Sequence, residues 1–193
     1  MKLQQFLNYF KSNKGNDTEY VPTRWEDDYC QIELIPQENL LFVKQQINEA
    51  SFFAEEHKTE FGYTDVFIRK KNPTPTRSKE IRADYLRSTL ILFQLPELTN
   101  IRYEGGEIIS HRGAKTQAFG FLNFTLFFDI EGEFVKNIWI ILGSIIATGK
   151  FDLILSALYY LGEETDLILV DWNSDEIVDI KNKNQIKEYL MGW

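Results

Sequence analysis

The chain has 193 residues, of which 44% are hydrophobic, and it carries a formal net charge of -8 at pH 7. This apolar content, with fifteen Phe and nine Tyr, excludes an intrinsically disordered chain and suffices for a buried core. The acidic balance argues against non-specific nucleic-acid binding by the whole surface, because such binding requires clustered Lys and Arg, and it leaves a local basic site open.

The charge is distributed unevenly along the chain. Residues 63–120 contain ten Lys or Arg and six Asp or Glu, which gives this segment a charge of +4. Residues 1–62 carry -5, residues 121–150 carry -1 and residues 151–193 carry -6. Such a layout indicates either a face that binds an anionic partner or an internal match between two parts of one fold.

The cysteine count and the hydropathy bear on the cellular compartment. Cys30 is the only cysteine, so an intrachain disulfide is impossible and a reducing compartment is favoured. The most apolar run, residues 138–147, has about half the length that a membrane-spanning helix needs. We therefore expect a cytoplasmic protein without a membrane anchor.

The first half of the chain predicts two helices and two strands. Apolar residues at helical spacing predict a short helix at residues 3–10 and a longer helix from Gln37 to about Glu56. Alternating polar and apolar residues predict one strand from Cys30 to Pro36 and another over residues 64–68. Two prolines in the segment 72–76 then interrupt regular structure.

The second half predicts further helices and an antiparallel arrangement of strands. Residues 78–86 form a candidate helix, residues 89–95 are an apolar run of undetermined type, and residues 134–146 fit a helix and a strand equally well. A hairpin is predicted at residues 101–110 around Gly105-Gly106, and the strongest strand pattern covers residues 122–130.

The C-terminal region predicts a helix at residues 151–162, two strands at 167–170 and 177–180, and a last helix capped by Asn182. The simplest account of the whole pattern is a single α+β domain over residues 1–193. Its mixed or antiparallel sheet has five or more strands and is flanked by helices.

The C-terminal hairpin carries the strongest candidate for catalysis. If its turn is 173–175, then Asp171, Asp179 and Lys181 face one side, with the two carboxylates roughly 7–8 Å apart. Two carboxylates can hold Mg²⁺, and a neighbouring lysine can orient the attacking water. Over residues 171–181 the pattern resembles the Asp…(Asp/Glu)-x-Lys motif of restriction-endonuclease-like nucleases, which implies a metal-dependent nuclease or phosphodiesterase. The alternative is an ordinary hairpin whose polar residues face solvent.

A basic set on either side of the proline-containing segment is a candidate anion-binding face. The alternative is a solvated surface with local ion pairs, each of which would contribute less than about 1 kcal/mol. The residues of this basic set are Arg69, Lys70, Lys71, Arg77 and Lys79.

An acidic, aromatic-containing set near the C-terminus is the candidate surface for a protein partner. Carboxylates steer a cationic partner, and aromatic side chains serve as buried anchors. The residues of this acidic set are Glu163, Glu164, Asp171, Trp172, Asp175, Glu176 and Asp179.

These observations favour a non-catalytic binding protein over an enzyme. A small, acidic, aromatic-rich chain without a catalytic motif is similar in profile to toxin-neutralising immunity proteins. We therefore expect a protein partner such as a toxin domain, with no cofactor and no metal, and keep the nuclease as the alternative. A third possibility is a homo-oligomer in which the basic set of one subunit contacts the acidic set of another, so the oligomeric state stays open.

Overall fold

The computed structural model describes residues 20–104, 106–110, 115–144 and 149–193. Within these ranges the strands are β1 Thr23–Arg24, β2 Ile32–Pro36, β3 Lys58–Thr59, β4 Gly62–Tyr63, β5 Asn100–Tyr103, β6 Ile108–Ser110, β7 Thr116–Phe121, β8 Phe124–Glu131, β9 Phe134–Leu142, β10 Leu167–Asp171 and β11 Glu176–Val178. The α-helices are α1 Leu40–His57, α2 Ala83–Leu92, α3 Phe151–Thr165 and α4 Lys183–Met191, and short 3-10 helices cover Gln37–Asn39 and Thr76–Lys79.

Six strands form the main sheet in the order β11-β10-β2-β9-β8-β7, and every neighbouring pair is antiparallel. A smaller sheet has the order β1-β5-β6, and β3 and β4 form a short hairpin. The predicted α+β fold with an antiparallel sheet of five or more strands is therefore confirmed.

Both faces of the main sheet are covered. On one face, apolar residues of α2, α3 and α4 pack against the sheet and form the largest core cluster, which includes Leu86, Leu158 and Leu190. On the other face, Val43 of α1 packs against residues of β2 and β10. Ile101 of β5 packs on the same face, against β7, β8 and β9.

Two-sided burial also explains the ambiguous segment at 134–146. Strand β9 covers Phe134–Leu142, so most of this segment is a strand and not a helix. Ile138 and Ile140 face the helical layer, whereas Trp139 faces the smaller sheet. A strand covered on both faces is apolar at consecutive positions, which removes the alternation that identifies a half-exposed strand.

Several sequence predictions are wrong or need new bounds. The predicted strand at 64–68 is an irregular segment, because it has no neighbouring strand to pair with. The predicted helix at 78–86 begins later, since α2 starts at Ala83 after a 3-10 turn. Strand β7 was not predicted, and all six of its residues are buried. The predicted helix at 3–10 and the turn residue Gly105 lie outside the described residues, as do the last two residues of the segment 134–146.

No described helix is both long enough and apolar enough to cross a membrane.

Gly162 allows close packing of α3 on the turn that precedes α4. A Cβ atom built on Gly162 would lie 2.5 Å from the carbonyl oxygen of Ile180. We expect Gly162→Ala to lower the free energy of unfolding by about 1–3 kcal/mol through overpacking, although Ala has the higher helix propensity by up to ~1 kcal/mol.

Urea unfolding measures this effect, with Glu163→Ala as the matched control at the next, exposed position. The control should change stability by no more than about 0.5 kcal/mol. Equal stability of Gly162→Ala and the wild-type chain would contradict the close approach of α3 to Ile180.

Candidate functional site

The register of the C-terminal hairpin differs from the predicted one. Asp171 pairs with Glu176 and Leu169 pairs with Val178, so the loop contains the four residues 172–175 instead of three. A change of one residue in register moves a side chain to the opposite face of a sheet. Asp179, which follows the end of β11, is therefore not on the face of Asp171, and the predicted shared face is wrong.

Asp171 is a buried structural residue. Its side chain has no solvent exposure, and its carboxylate accepts hydrogen bonds from the Tyr189 hydroxyl at 2.8 Å and from the backbone N–H of Asn173 at 2.9 Å. Burial, reinforced by the charge of Asp171, raises the pKa of the Tyr189 hydroxyl, so this group remains a donor at neutral pH. Asp171 thus ties α4 to β10 and does not reach the surface.

Lys181 and Asp179 also have structural contacts. The Lys181 ammonium group pairs with Asp166, and the Asp179 carboxylate accepts a hydrogen bond from the backbone N–H of Lys181 at 3.0 Å. The structure does not bring Asp171, Asp179 and Lys181 together as the nuclease arrangement requires. Among the described residues, no group of three or more His, Cys, Asp or Glu side chains is arranged to hold a metal ion.

The acidic set is divided between the two ends of β10, which is about 14 Å long for five residues. Glu163 and Glu164 lie near its start, in the last turn of α3. Asp175 and Glu176 lie beyond its end, in the hairpin. The predicted acidic set is therefore not one continuous surface.

Some of the basic and acidic residues form ion pairs with one another inside the fold. Asp166, at the end of α3, pairs with Lys181 and with Lys79, and Lys79 also pairs with Glu38 at 2.7 Å. Hydrogen bonds from Lys181 and then Lys79 hold the pKa of the Asp166 carboxyl group below its usual range. Lys79 of the basic set thus belongs to contacts within the fold.

A groove lies between the C-terminal hairpin and α4, with a cavity volume of about 520 Å³. We call it the C-terminal groove; residues that line it include Ser174, Glu176, Ile177, Glu188, Tyr189 and Trp193. The rings of Tyr189 and Trp193 meet edge to face, with centroids 6.5 Å apart. Its carboxylates, Glu176 and Glu188, are exposed and have no ion-pair partner among the described residues.

A second concave region lies under residues 64–75, which we call the strap. The strap connects β4 to the 3-10 helix Thr76–Lys79 and encloses, with β2 and β9, a cavity of about 760 Å³ that we call the strap cleft. Residues that line the strap cleft include Tyr29, Glu33, Arg69, Lys71, Asn137 and Trp172.

Glu33 lies in the main sheet, between the layers that cover its two faces. It belongs to β2 and pairs in register with Trp139 of β9. Its carboxylate accepts a hydrogen bond from the indole N–H of Trp172 at 2.9 Å, and the Arg69 guanidinium lies 4.5 Å from the centroid of the Trp172 ring. Burial raises the pKa of the Glu33 carboxyl group, although Trp172 and Arg69 oppose this shift.

Two polar groups at the edge of the strap cleft are held in fixed forms. The Tyr29 hydroxyl donates to Asp129 at 2.9 Å and accepts from the Asn137 amide at 2.7 Å. Burial, followed by the charges of Glu33 and Asp129, raises the pKa of the Cys30 thiol to about 12. Cys30 therefore stays a thiol at neutral pH, which is the form that lacks nucleophilic reactivity.

The structure divides the basic set into three environments. Arg69, Lys70 and Lys71 line the strap cleft. The Arg77 guanidinium lies 4.1 Å from the centroid of the Phe134 ring, and Lys79 forms the ion pairs described above. Two residues that the sequence placed in separate sets, Arg69 and Trp172, are thus in contact.

Sequence reasoning missed Glu33, which alternation placed on a solvent-facing side. A signal was present, because Leu34 and Ile35 are consecutive apolar residues and indicate a strand covered on both faces. The sequence also gave no sign of Tyr29 or Asn137, since their roles depend on the pairing of distant segments.

Removal of the Tyr189 hydroxyl tests the role of Asp171. Tyr189→Phe keeps the ring but leaves a buried carboxylate oxygen without its donor, so we expect a loss of about 1–3 kcal/mol in the free energy of unfolding. Chemical denaturation measures the loss, and Tyr63→Phe at an exposed position is the control. If both variants are as stable as the wild-type chain, the hydrogen bond to Asp171 does not hold α4.

The pH dependence of stability tests the burial of Glu33. Its folded pKa exceeds its unfolded value, so its contribution to stability is complete below the unfolded pKa and is lost as the pH rises through the folded pKa. Glu33→Gln retains an acceptor for Trp172 but cannot ionise. We expect the variant to match the wild-type chain near pH 4 and to become progressively the more stable of the two towards pH 8.

Thermal unfolding over this pH range provides the measurement, and Glu55→Gln at an exposed position provides the control. A difference between Glu33→Gln and the wild-type chain that does not vary with pH would contradict the assigned burial.

Comparisons of the chain with protein-family models, with curated proteins and with solved structures give no match. The chain itself offers two candidate sites: an acidic, aromatic C-terminal groove and a basic strap cleft with a carboxylate at its floor.

Proposed function

We propose that this chain is a non-catalytic, cytoplasmic binding protein that neutralises a cationic protein, as a toxin-neutralising immunity protein does. The observation that carries the proposal is the C-terminal groove, where unpaired carboxylates lie beside aromatic rings. The binding surface is thus smaller than the predicted acidic set and is centred on Glu176, with Glu188 of α4 added.

The electrostatics of the groove support a cationic partner. Asp175, Glu176 and Glu188 are exposed, and no described Lys or Arg forms an ion pair with them. Unpaired carboxylates on one surface raise the association rate with a positively charged partner, and the effect weakens as salt screens the charges. The opposite end of β10 is a weaker candidate, because Asp166 is already neutralised there.

The carboxylates of the groove account for steering, and its aromatic side chains account for affinity. Trp193 is half-buried, packs against the main core and lines the groove. Tryptophan is prominent among residues that dominate binding energy, because a large rigid surface is buried at a small cost in conformational entropy. A partner segment with basic residues and an apolar side chain would pair with the carboxylates and pack against the aromatic rings.

The proposal is tested by capture from the native lysate with the tagged full chain, followed by measured affinity and inhibition. The test variant is Asp175→Asn/Glu176→Gln/Glu188→Gln, and the matched control is Glu163→Gln/Glu164→Gln at the other end of β10. We expect a basic protein to be captured by the wild-type and control chains and to bind the test variant at least tenfold more weakly. Raising the salt concentration should reduce this difference.

Neutralisation is measured separately, as loss of the captured protein's own toxic activity when the wild-type chain is added in equal amount. Trp193→Ala should weaken binding by about 30-fold, the effect of a 2 kcal/mol anchor. Equal capture by the test variant and the control, or a captured partner that keeps its full activity in the complex, would refute the proposal.

A further inference from the structure

The strap cleft contains a guanidinium group whose donors are largely unused. Arg69 donates one long hydrogen bond, 3.4 Å from Nη1 to the carbonyl oxygen of Cys30, and forms no salt bridge with a described residue. A guanidinium group has five N–H donors and remains charged when buried. Arg69 is half-buried on the Trp172 ring and lines the strap cleft, so a cation with unused donors borders the cavity.

The strap that presents Arg69 is held in place by buried side chains of the α1 region. Gln46 accepts a hydrogen bond from the backbone N–H of Lys70 at 2.9 Å. The Asn39 side chain bonds both the carbonyl and the N–H of Thr74, at 2.8 and 3.0 Å. Gln46 and Asn39 are each 1% exposed. A site fixed in advance loses less conformational entropy when a ligand binds.

The charge of the strap cleft is opposite to that of the whole chain. Four cations line it, Arg69, Lys70, Lys71 and Lys136, against the single carboxylate of Glu33 among its described lining residues. Lys70 is paired with Glu49 at 3.0 Å and Lys136 approaches Glu131 only at 3.9 Å. Lys71 is exposed and has no ion-pair partner among the described residues.

We propose that the strap cleft binds a small phosphomonoester that also carries hydrogen-bond donors, the class to which sugar phosphates and mononucleotides belong. The phosphate lies against Arg69 and Lys71, because a guanidinium and an ammonium group together supply directed hydrogen bonds and charge to its oxygens. This inference is independent of the proposed binding of a protein partner at the C-terminal groove.

The floor and the size of the cleft account for the rest of the ligand. Glu33 lies deeper than the strap lysines, and its carboxylate, which accepts hydrogen bonds from Trp172 and Asn72, has further acceptor positions for a hydroxyl or amino group. The cavity of about 760 Å³ is much larger than a phosphate ion needs, and it falls within the range of roughly 300–1,000 Å³ that is usual for small-molecule sites. Tyr29, Phe67 and Trp172 provide aromatic surface around the uncharged part.

The test is an NMR titration of the full-length protein with four probes: ribose 5-phosphate, AMP, inorganic phosphate and ribose. We expect ribose 5-phosphate or AMP to bind at least tenfold more tightly than inorganic phosphate and than ribose. Binding should shift the indole N–H resonance of Trp172 and the backbone N–H resonance of Lys70.

Three variants locate the site. Arg69→Gln should weaken the tighter phosphomonoester by about tenfold or more, as expected for the loss of charged hydrogen bonds. Lys71→Gln alters an exposed side chain, so the protein should stay folded, and its affinity for the phosphomonoester should fall about threefold. This variant keeps the test valid if Arg69→Gln is unstable. Lys187→Gln, on the exposed side of α4, should leave binding unchanged.

Three results would overturn the proposal. The first is that neither phosphomonoester binds more tightly than inorganic phosphate. The second is that Lys71→Gln and a folded Arg69→Gln bind the phosphomonoester as the wild-type chain does. The third is that Lys187→Gln weakens binding as much as these two variants do, which would indicate general attraction of anions.

Discussion

The antiparallel pairing of β2 with β10 on one side and with β9 on the other joins the two parts of the main sheet. Helices cover one face of this strand, whereas α1 and the smaller sheet cover the other, so side chains of both orientations are enclosed. A charged residue in β2 therefore needs a partner, because burying an isolated charge costs free energy. The environment of Glu33, with Trp172 and Arg69 beside it, follows from this constraint.

The C-terminal hairpin depends in the same way on one buried polar contact. Asp171 is fully enclosed and accepts the hydroxyl hydrogen bond of Tyr189, which fixes α4 against β10. That placement creates the C-terminal groove between the hairpin and the helix. Asp171, which resembled part of a catalytic set, therefore has a structural role, and the exposed carboxylates of the groove are the ones on which the proposed function rests.

The fold class and most helices were predictable, because apolar periodicity and capping residues are local signals. Asn182, for example, caps α4 through hydrogen bonds to Asn184 and Gln185. Loop length was not a local signal at 172–175, and the difference of one residue reversed the orientation of Asp179 relative to Asp171. Residues 64–68 of the strap were mistaken for a strand, because alternation is a local pattern and does not show that a neighbouring strand is missing; the strap is held farther along, by Gln46 at Lys70 and by Asn39 at Thr74. The contact of Arg69 with Trp172 likewise depends on tertiary structure alone.

The net charge of -8 conceals two sites of opposite sign. Lys79 of the basic set forms ion pairs with Glu38 and Asp166, whereas Arg69 and Lys71 line a cavity. At the end of β10 the chain divides between the two sites: Asp171 faces α4 and the next residue, Trp172, turns to Glu33. Asp171 ends β10 and Trp172 begins the loop that follows it, and the acidic groove and the basic cleft share none of their described lining residues. Because screening lengths at physiological salt are about 8 Å, the charge near each region is set by its own side chains more than by the net charge of the chain, and this is why we propose ligands of opposite charge for the two.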